Sequence, residues 1–172
     1  RAGATKFISA VVQDWDWAIP RPLSVDEQKH MVEMFGVIDE ICEEHGLQQV
    51  LHSHVQTVVE TKDDINRVLD TCDVNFCLDT GHMAIGGQDP VAFAKEAMER
   101  VGHVHLKDVR LDMVPPVLRR EVTLMAATQA GLFTPLGQGD VDILGVVQTL
   151  EAAGYEGWYV IEQDTAITDG LP

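Results

Sequence analysis

Four short segments concentrate imidazole and carboxylate side chains directly after apolar runs: Leu51-His52-Ser53-His54, Leu78-Asp79-Thr80-Gly81-His82, His103-Val104-His105-Leu106-Lys107-Asp108 and Val160-Ile161-Glu162-Gln163-Asp164. In an extended chain, residues two apart share a face, so His52 projects with His54, and His103 with His105. Imidazoles and carboxylates brought together from separate strands make an N/O site suited to Mn²⁺, Co²⁺, Zn²⁺, Fe²⁺ or Mg²⁺. Each piece alone says little. A lone strand-end histidine is more often a hydrogen-bonded structural residue, and Asp79-Thr80-Gly81 alone reads as an Asx turn. The recurrence carries the argument: five of the seven histidines fall in these segments, and none of the five lies in a predicted helix.

The elements that must position these residues alternate as strand and helix. Strands are predicted over Lys6 to Val12, Val50 to Val55, Val74 to Leu78, Gly102 to Leu106 and Trp158 to Ile161. Between the first two, Ser24 and Glu27 form an S-x-x-E capping box that opens a helix with the stripe Val32, Phe35, Ile38, Ile41 and a stop at Gly46. Further helices are predicted from about Thr61, with Ile65, Val68 and Leu69 inward, from Asp89-Pro90 through Met98, and from about Asp142 to Ala153. A long mixed connection runs from the fourth strand to the glycine loop Leu136-Gly137-Gln138-Gly139-Asp140. Alternating βα units imply a parallel α/β sheet. No GxGxxG turn follows either of the first two strands, as a doubly wound nucleotide binder would require, whereas ligand-type residues recur at strand C-terminal ends. That placement favours a (β/α) barrel over an open doubly wound sheet.

With 172 residues, 45% of them hydrophobic, the chain reads as one domain over 1–172. Twenty-eight acidic against 12 basic residues give a formal charge of −16, which repels phosphate backbones and anionic membrane surfaces and argues against nucleic acid as a partner. No apolar run reaches the ~20 residues that span a bilayer. Three cysteines without a CxxC pair fit thiols in a reducing cytoplasm. The chain opens at Arg1 and stops at Leu171-Pro172, so both ends read as cut points.

At LDTGH (Leu78 to His82), HVHLKD (His103 to Asp108), PLGQGDVD (Pro135 to Asp142), GYEGWYVIEQD (Gly154 to Asp164) and HSHVQTVVET (His52 to Thr61), the chain resembles the xylose isomerase-like TIM barrel superfamily. That superfamily includes sugar isomerases and epimerases, inosose dehydratases and endonuclease IV-like enzymes, and the resemblance is greatest to its inosose dehydratase-like branch. It implies the last five βα units of an eightfold barrel, with the first and fifth strands left as open edges and Phe7, Ile8, Val160 and Ile161 uncovered. It also implies a divalent metal, Mn²⁺ or Co²⁺ foremost, held by His52, Asp79, His105 and Glu162. Many isomerases of this type carry glutamate where His52 stands, so the histidine favours elimination over two-carboxylate epimerisation.

The implied chemistry is removal of a proton next to a carbonyl on a keto-sugar or cyclitol, followed by loss of a β-hydroxyl. Glu162, His82 and Lys107 are the expected catalytic residues, because imidazole titrates near neutral pH and a desolvated lysine can be shifted toward it. The competing reading of Lys107 is an ion pair with Asp108. His54 and His82 are expected to touch substrate, as are Trp15 and Trp17, whose rings can wall a sugar's CH face. The backbone N–H groups of Gly139 and Asp140 are expected to bind substrate hydroxyls at a helix N-terminus. The loop has no lysine or arginine, so the expected partner is an unphosphorylated polyol or keto-sugar, with homo-oligomerisation left open. The alternatives are a keto-sugar isomerase or epimerase, and a non-catalytic, metal-stabilised carbohydrate-binding protein.

Overall fold

The computed structural model describes residues 3–16 and 18–165. Each helix of the repeating layer begins where a side chain takes up the N–H groups that a first turn leaves unbonded. Strand β1 (Lys6–Ser9) is followed by α1 (Val25–Glu44), capped by the Ser24–Glu27 box. After β2 (Gln48–His52) comes α2 (Lys62–Thr71), closed by a second box in which Thr61 and Asp64 bond each other's backbone. Strand β3 (Asn75–Asp79) runs straight into α3 (Thr80–Ile85), and α4 (Pro90–Glu96) starts with Pro90 at its first position and the Asp89 carboxylate on Val91 and Ala92. A 3₁₀ turn leads into β4 (Val101–Leu106). The long connection then forms β5 (Asp108–Val109), α5 (Val114–Leu118), α6 (Leu124–Gln129) and β6 (Phe133–Thr134) before α7 (Ile143–Ala152) and β7 (Tyr159–Ile161).

Strands β1, β2, β3, β4 and β7 form one five-stranded sheet in that order, every pair parallel, while β5 and β6 make a separate antiparallel pair. Leu51, Phe76, Leu78, Val104 and Leu106 point from the sheet into the main core, where they meet Phe35, Ile65, Val68, Phe93, Val146 and Leu150 from the helices. By the two-residue alternation of strands, His52, Cys77, Asp79, His103 and His105 face the other way. The main apolar core therefore lies against one face of the sheet, as in a barrel wall, and the chemistry-bearing residues occupy the opposite face. A second core of Val55, Ile85, Val109, Val114, Val117, Ala127, Leu132 and Phe133 joins the connection to the β2 loop and α3. Among the described residues no helix is long and apolar enough to cross a membrane, and Cys42, Cys72 and Cys77 are free thiols.

Three sequence expectations need correction. Strand β1 ends at Ser9 rather than Val12, because the chain leaves the sheet and the Val11 carbonyl accepts the N–H of Val58 instead. Strand β2 covers Gln48 to His52 instead of Val50 to Val55: its two glutamines pair with Lys6 and Phe7, and Ser53 onward turns away through Gln56, whose φ is 67°. The Asp79-Thr80-Gly81 turn is the N-cap of α3, so His82 does lie in a helix. Of the side chains expected to be uncovered, Phe7 (44%), Ile8 (39%) and Ile161 (70%) are exposed, whereas Val160 is half-buried.

Candidate active site

Asp79, the last residue of β3, is completely buried and divides its carboxylate between two tasks. Oδ1 accepts the N–H groups of Gly81 and His82, both at 2.9 Å, and so starts α3. Oδ2 faces the histidine cluster, 3.1 Å from His52 Nε2, 3.6 Å from His105 Nδ1 and 3.7 Å from Lys107 Nζ. Glu162, just beyond β7, is placed by its N–H bond to the Leu106 carbonyl, with Oε1 3.3 Å from His105 Nδ1 and Oε2 2.8 Å from Lys107 Nζ. His105 Nδ1 is thus buried between two carboxylates yet forms no hydrogen bond. An unsatisfied buried nitrogen facing carboxylate oxygens within a few ångströms fits the ligand set of a cation. Ligand atoms of Asp79, His105 and Glu162 all lie within 4.8 Å of one another, as do those of His52, Asp79 and His82. The donor set and its spacing fit a divalent metal.

Lys107 extends from the end of β4 into the same cluster, and Thr80 fixes its backbone by donating to its carbonyl at 2.7 Å and accepting its N–H at 2.8 Å. The lysine stem lies across Gly81, where a Cβ would come 2.8 Å from Lys107 Cγ and 3.0 Å from its Cβ. Its ammonium, almost fully buried, meets Glu162 at 2.8 Å, Asp164 at 3.1 Å and His82 Nε2 at 3.2 Å, and sits 5.2 Å from the centre of the Phe133 ring. Burial alone would lower the lysine's pKa, but Asp79, Glu162 and Asp164 outweigh it and raise the value. The shift toward neutrality expected from sequence is therefore reversed. The expected ion pair with Asp108 is absent too.

His82 behaves oppositely. Burial holds its pKa well below the ordinary value, with His54, Lys107 and His52 adding to the effect and Asp79 opposing it. Its ring stacks 3.7 Å from that of His54, and its Nδ1 is buried without a hydrogen bond. His54 donates from Nδ1 to the Val55 carbonyl at 2.7 Å, and burial lowers its pKa as well. Burial by itself would raise the Asp79 carboxyl, yet the surrounding imidazoles and the Lys107 ammonium keep it well below the usual range. Among these neighbours His82 has the largest effect, followed by His105 and His52, with the Lys107 ammonium adding to them.

The glycine loop serves a different purpose from the one expected of it. Asp108 is completely buried and accepts the N–H groups of Val109, Gly137 and Gly139 at 2.9 Å and of Val141 at 3.1 Å. Gly139 is required there because any Cβ would collide with the Asp108 carboxylate. The Asp140 N–H goes to the Val109 carbonyl and its carboxylate to the N–H of Leu111. The N–H groups of Gly139 and Asp140 thus anchor the connection. Trp15 stands 86% exposed, and Trp17 lies outside the described residues. Sequence reasoning assigned no part to Thr80 or Asp164. The signal for Asp164 was present, since it follows Glu162 by two residues.

The family described as xylose isomerase-like TIM barrel matches residues 3–170, and the chain belongs to it. The five parallel strands are half of such a barrel. Relatives named inosose dehydratase include those of Geobacillus thermodenitrificans, 34% identical over 155 residues (87% of this chain, 52% of the relative), and Geobacillus kaustophilus, 36% identical over 150 residues (84% and 49%). The chain spans about half the length of the curated relatives it matches. Among solved structures, the fold is shared with a probable 3-DHS dehydratase of Bacillus anthracis, at TM-score 0.73 and 20% identity, covering 95% of this chain and 58% of that one. It is also shared with a zinc-bound IolI protein, at TM-score 0.67, 18% identity and coverage of 95% and 55%. A D-allulose 3-epimerase from Methylomonas sp. follows at TM-score 0.66, 18% identity and coverage of 94% and 50%.

Proposed function

We propose that the chain carries the metal and proton-transfer half of a lyase of the inosose dehydratase type, acting on an unphosphorylated keto-cyclitol or keto-sugar. One observation supports this most directly: an ionised Asp79, an unsatisfied His105 nitrogen and Glu162 meet beside a lysine held as a cation. His52, Asp79, His105 and Glu162 would hold the metal, Mn²⁺ or Co²⁺ foremost. A bound divalent cation supplies Lewis acidity toward the substrate carbonyl and makes its α-proton more acidic. Glu162 Oε2 accepts that proton. The Lys107 ammonium gives a proton to the departing β-hydroxyl, which leaves as water. Glu162 and Lys107, 2.8 Å apart, then exchange the proton directly and return to their starting charges. His82, neutral and buried against Nζ, keeps the ammonium aimed at the site, and His54 backs His82.

The test is incubation of the Mn²⁺-loaded protein with an inosose in D₂O. Elimination predicts loss of one water and a new near-ultraviolet absorption from the conjugated product. Epimerisation, the rival suggested by the relatives' folds, conserves mass while exchanging the α-proton. A carbohydrate-binding protein without catalysis gives neither. Asp79→Asn should weaken Mn²⁺ binding and turnover together, and unchanged turnover in that variant excludes Asp79 as a ligand.

A further inference from the structure

Cys77 has no part in the chemistry above, yet it occupies the same face of β3 as Asp79, one alternation deeper. Its side chain is completely buried. Buried free cysteines usually act as small hydrophobes within an apolar core. This one is on the polar face instead, and its Sγ lies with one ring nitrogen each of His52 and His105 inside a group whose members are all within 4.8 Å of one another. His103 pairs with Cys77 across the β3–β4 ladder, and its ring is 5.2 Å from that of His105. His105 is only 6% exposed, and its Nδ1, which faces Asp79 and Glu162, has no hydrogen-bond partner.

We propose that His52, Cys77 and His105 form a second, sulfur-containing metal site beneath the Asp79–His105–Glu162 set, selective for thiophilic divalent cations such as Cd²⁺. It rests on the proposed function in that His52 and His105 belong to both sets, so occupancy of the two is mutually exclusive. Thiolate and imidazole favour soft cations, whereas the carboxylates of Asp79 and Glu162 suit Mn²⁺ and Mg²⁺. Binding forms a bond to sulfur and releases the thiol proton to solvent, the metal–sulfur bond offsetting the burial and the Asp79 and Glu162 charges that push the free thiol's pKa well up. A cation drawn down to Cys77 is withdrawn from Glu162 and from the lysine beside it. Thiophilic ions should therefore displace Mn²⁺ and inhibit rather than substitute for it.

The measurement is a titration of the 172-residue chain with Cd²⁺, followed by ultraviolet thiolate-to-metal charge transfer and by X-ray absorption at the cadmium edge, with no substrate present. One sulfur in the metal shell and a saturable band are expected, both retained in the double variant Cys42→Ser, Cys72→Ser. Cys77→Ser should lose the band and bind Cd²⁺ more than about 100-fold more weakly, beyond the roughly 10–100-fold typical of losing an outer-shell partner. A wild-type spectrum with only nitrogen and oxygen neighbours overturns the proposal whether or not the variant folds, as does a band that persists in a folded Cys77→Ser protein. Glu162→Gln separates the two ideas. Loss of Mn²⁺-dependent turnover with an intact Cd²⁺ band is expected, while a band lost with Glu162 rather than with Cys77 sinks the deeper site.

Discussion

The helical layer behind the sheet and the connection from Asp108 to Val141 each bury an apolar core, but they are held by opposite means. In the layer, Phe76, Leu78 and Val104 meet Phe93, Val146 and Leu150 through many small, undirected contacts. In the connection, helices of five and six residues and a two-residue ladder share a smaller core. Two buried carboxylates pin it. Asp108 gathers four backbone N–H groups. Glu60, 6% exposed, grips Arg120 with both oxygens, at 3.1 and 2.5 Å, and also accepts the N–H of Gln56. Arg120 and Gln56 are the non-glycine residues with left-handed backbones, at φ 62° and 67° among the described residues, so Glu60 stabilises two sterically costly turns at once. Because this connection brings Phe133 against Lys107 and His82, the site's surroundings depend on single polar groups.

The largest effect should come from the layer. Phe76→Ala is expected to cost about 3–5 kcal/mol in urea melts and to loosen the whole sheet. Asp108→Ala, which strands the N–H groups of Gly137, Gly139 and Val141, is expected to cost about 3 kcal/mol. Its hydrogen-exchange signature should be confined to residues 108–141, and faster exchange throughout the sheet would break the distinction between the two regions. Glu60→Gln keeps one acceptor but loses the ion pair with Arg120, for roughly 1–2 kcal/mol and a raised KM with little change in global melting. The smallest effect is a pH dependence in the layer. Burial opposes ionisation of Asp64, but bonds from Thr61, Arg67 and Glu60 lower its pKa overall. Its contribution is therefore present above the unfolded carboxyl value and lost as pH falls through the folded one. Acid melts of wild type and Asp64→Asn should differ by under about 1 kcal/mol at neutral pH and converge only as the pH falls through the folded carboxyl value.

The layer was legible because its signals are local. The Ser24 and Asp89 caps and the strand runs each lie within a few residues of one another, and α1, α4 and α7 form where those signals place them, although of the expected α1 stripe only Phe35 is buried: Ile41 is exposed, and Cys42 and Met31 turn inward instead. The strand-end histidines and carboxylates likewise stood out by recurrence. What was not legible depends on distance along the chain. The charge state of Lys107 follows from Asp79, Glu162 and Asp164, the last of them 57 residues away, and the use of the glycine loop from Asp108, 29 residues before Gly137. Helices as short as α3, α5 and α6 complete too few turns for a 3.6-residue period to show. Gln48 and Gln49 hid the start of β2 because a strand inside a barrel wall can carry polar side chains that apolar patterning overlooks.

The passage of the Lys107 stem across Gly81 has a genetic consequence. A Cβ at position 81 would overlap the lysine's own carbons, so Gly81→Ala should be rejected in any selection that requires the ammonium in place. The same change should become tolerable once residue 107 is cut back to alanine, although the charge is then lost. Positions 81 and 107 thus form an epistatic pair, in which a change harmful on one background is harmless on the other. In a deep mutational library they should be inherited as a single character, and a lineage that has abandoned Gly81 should already have given up its lysine.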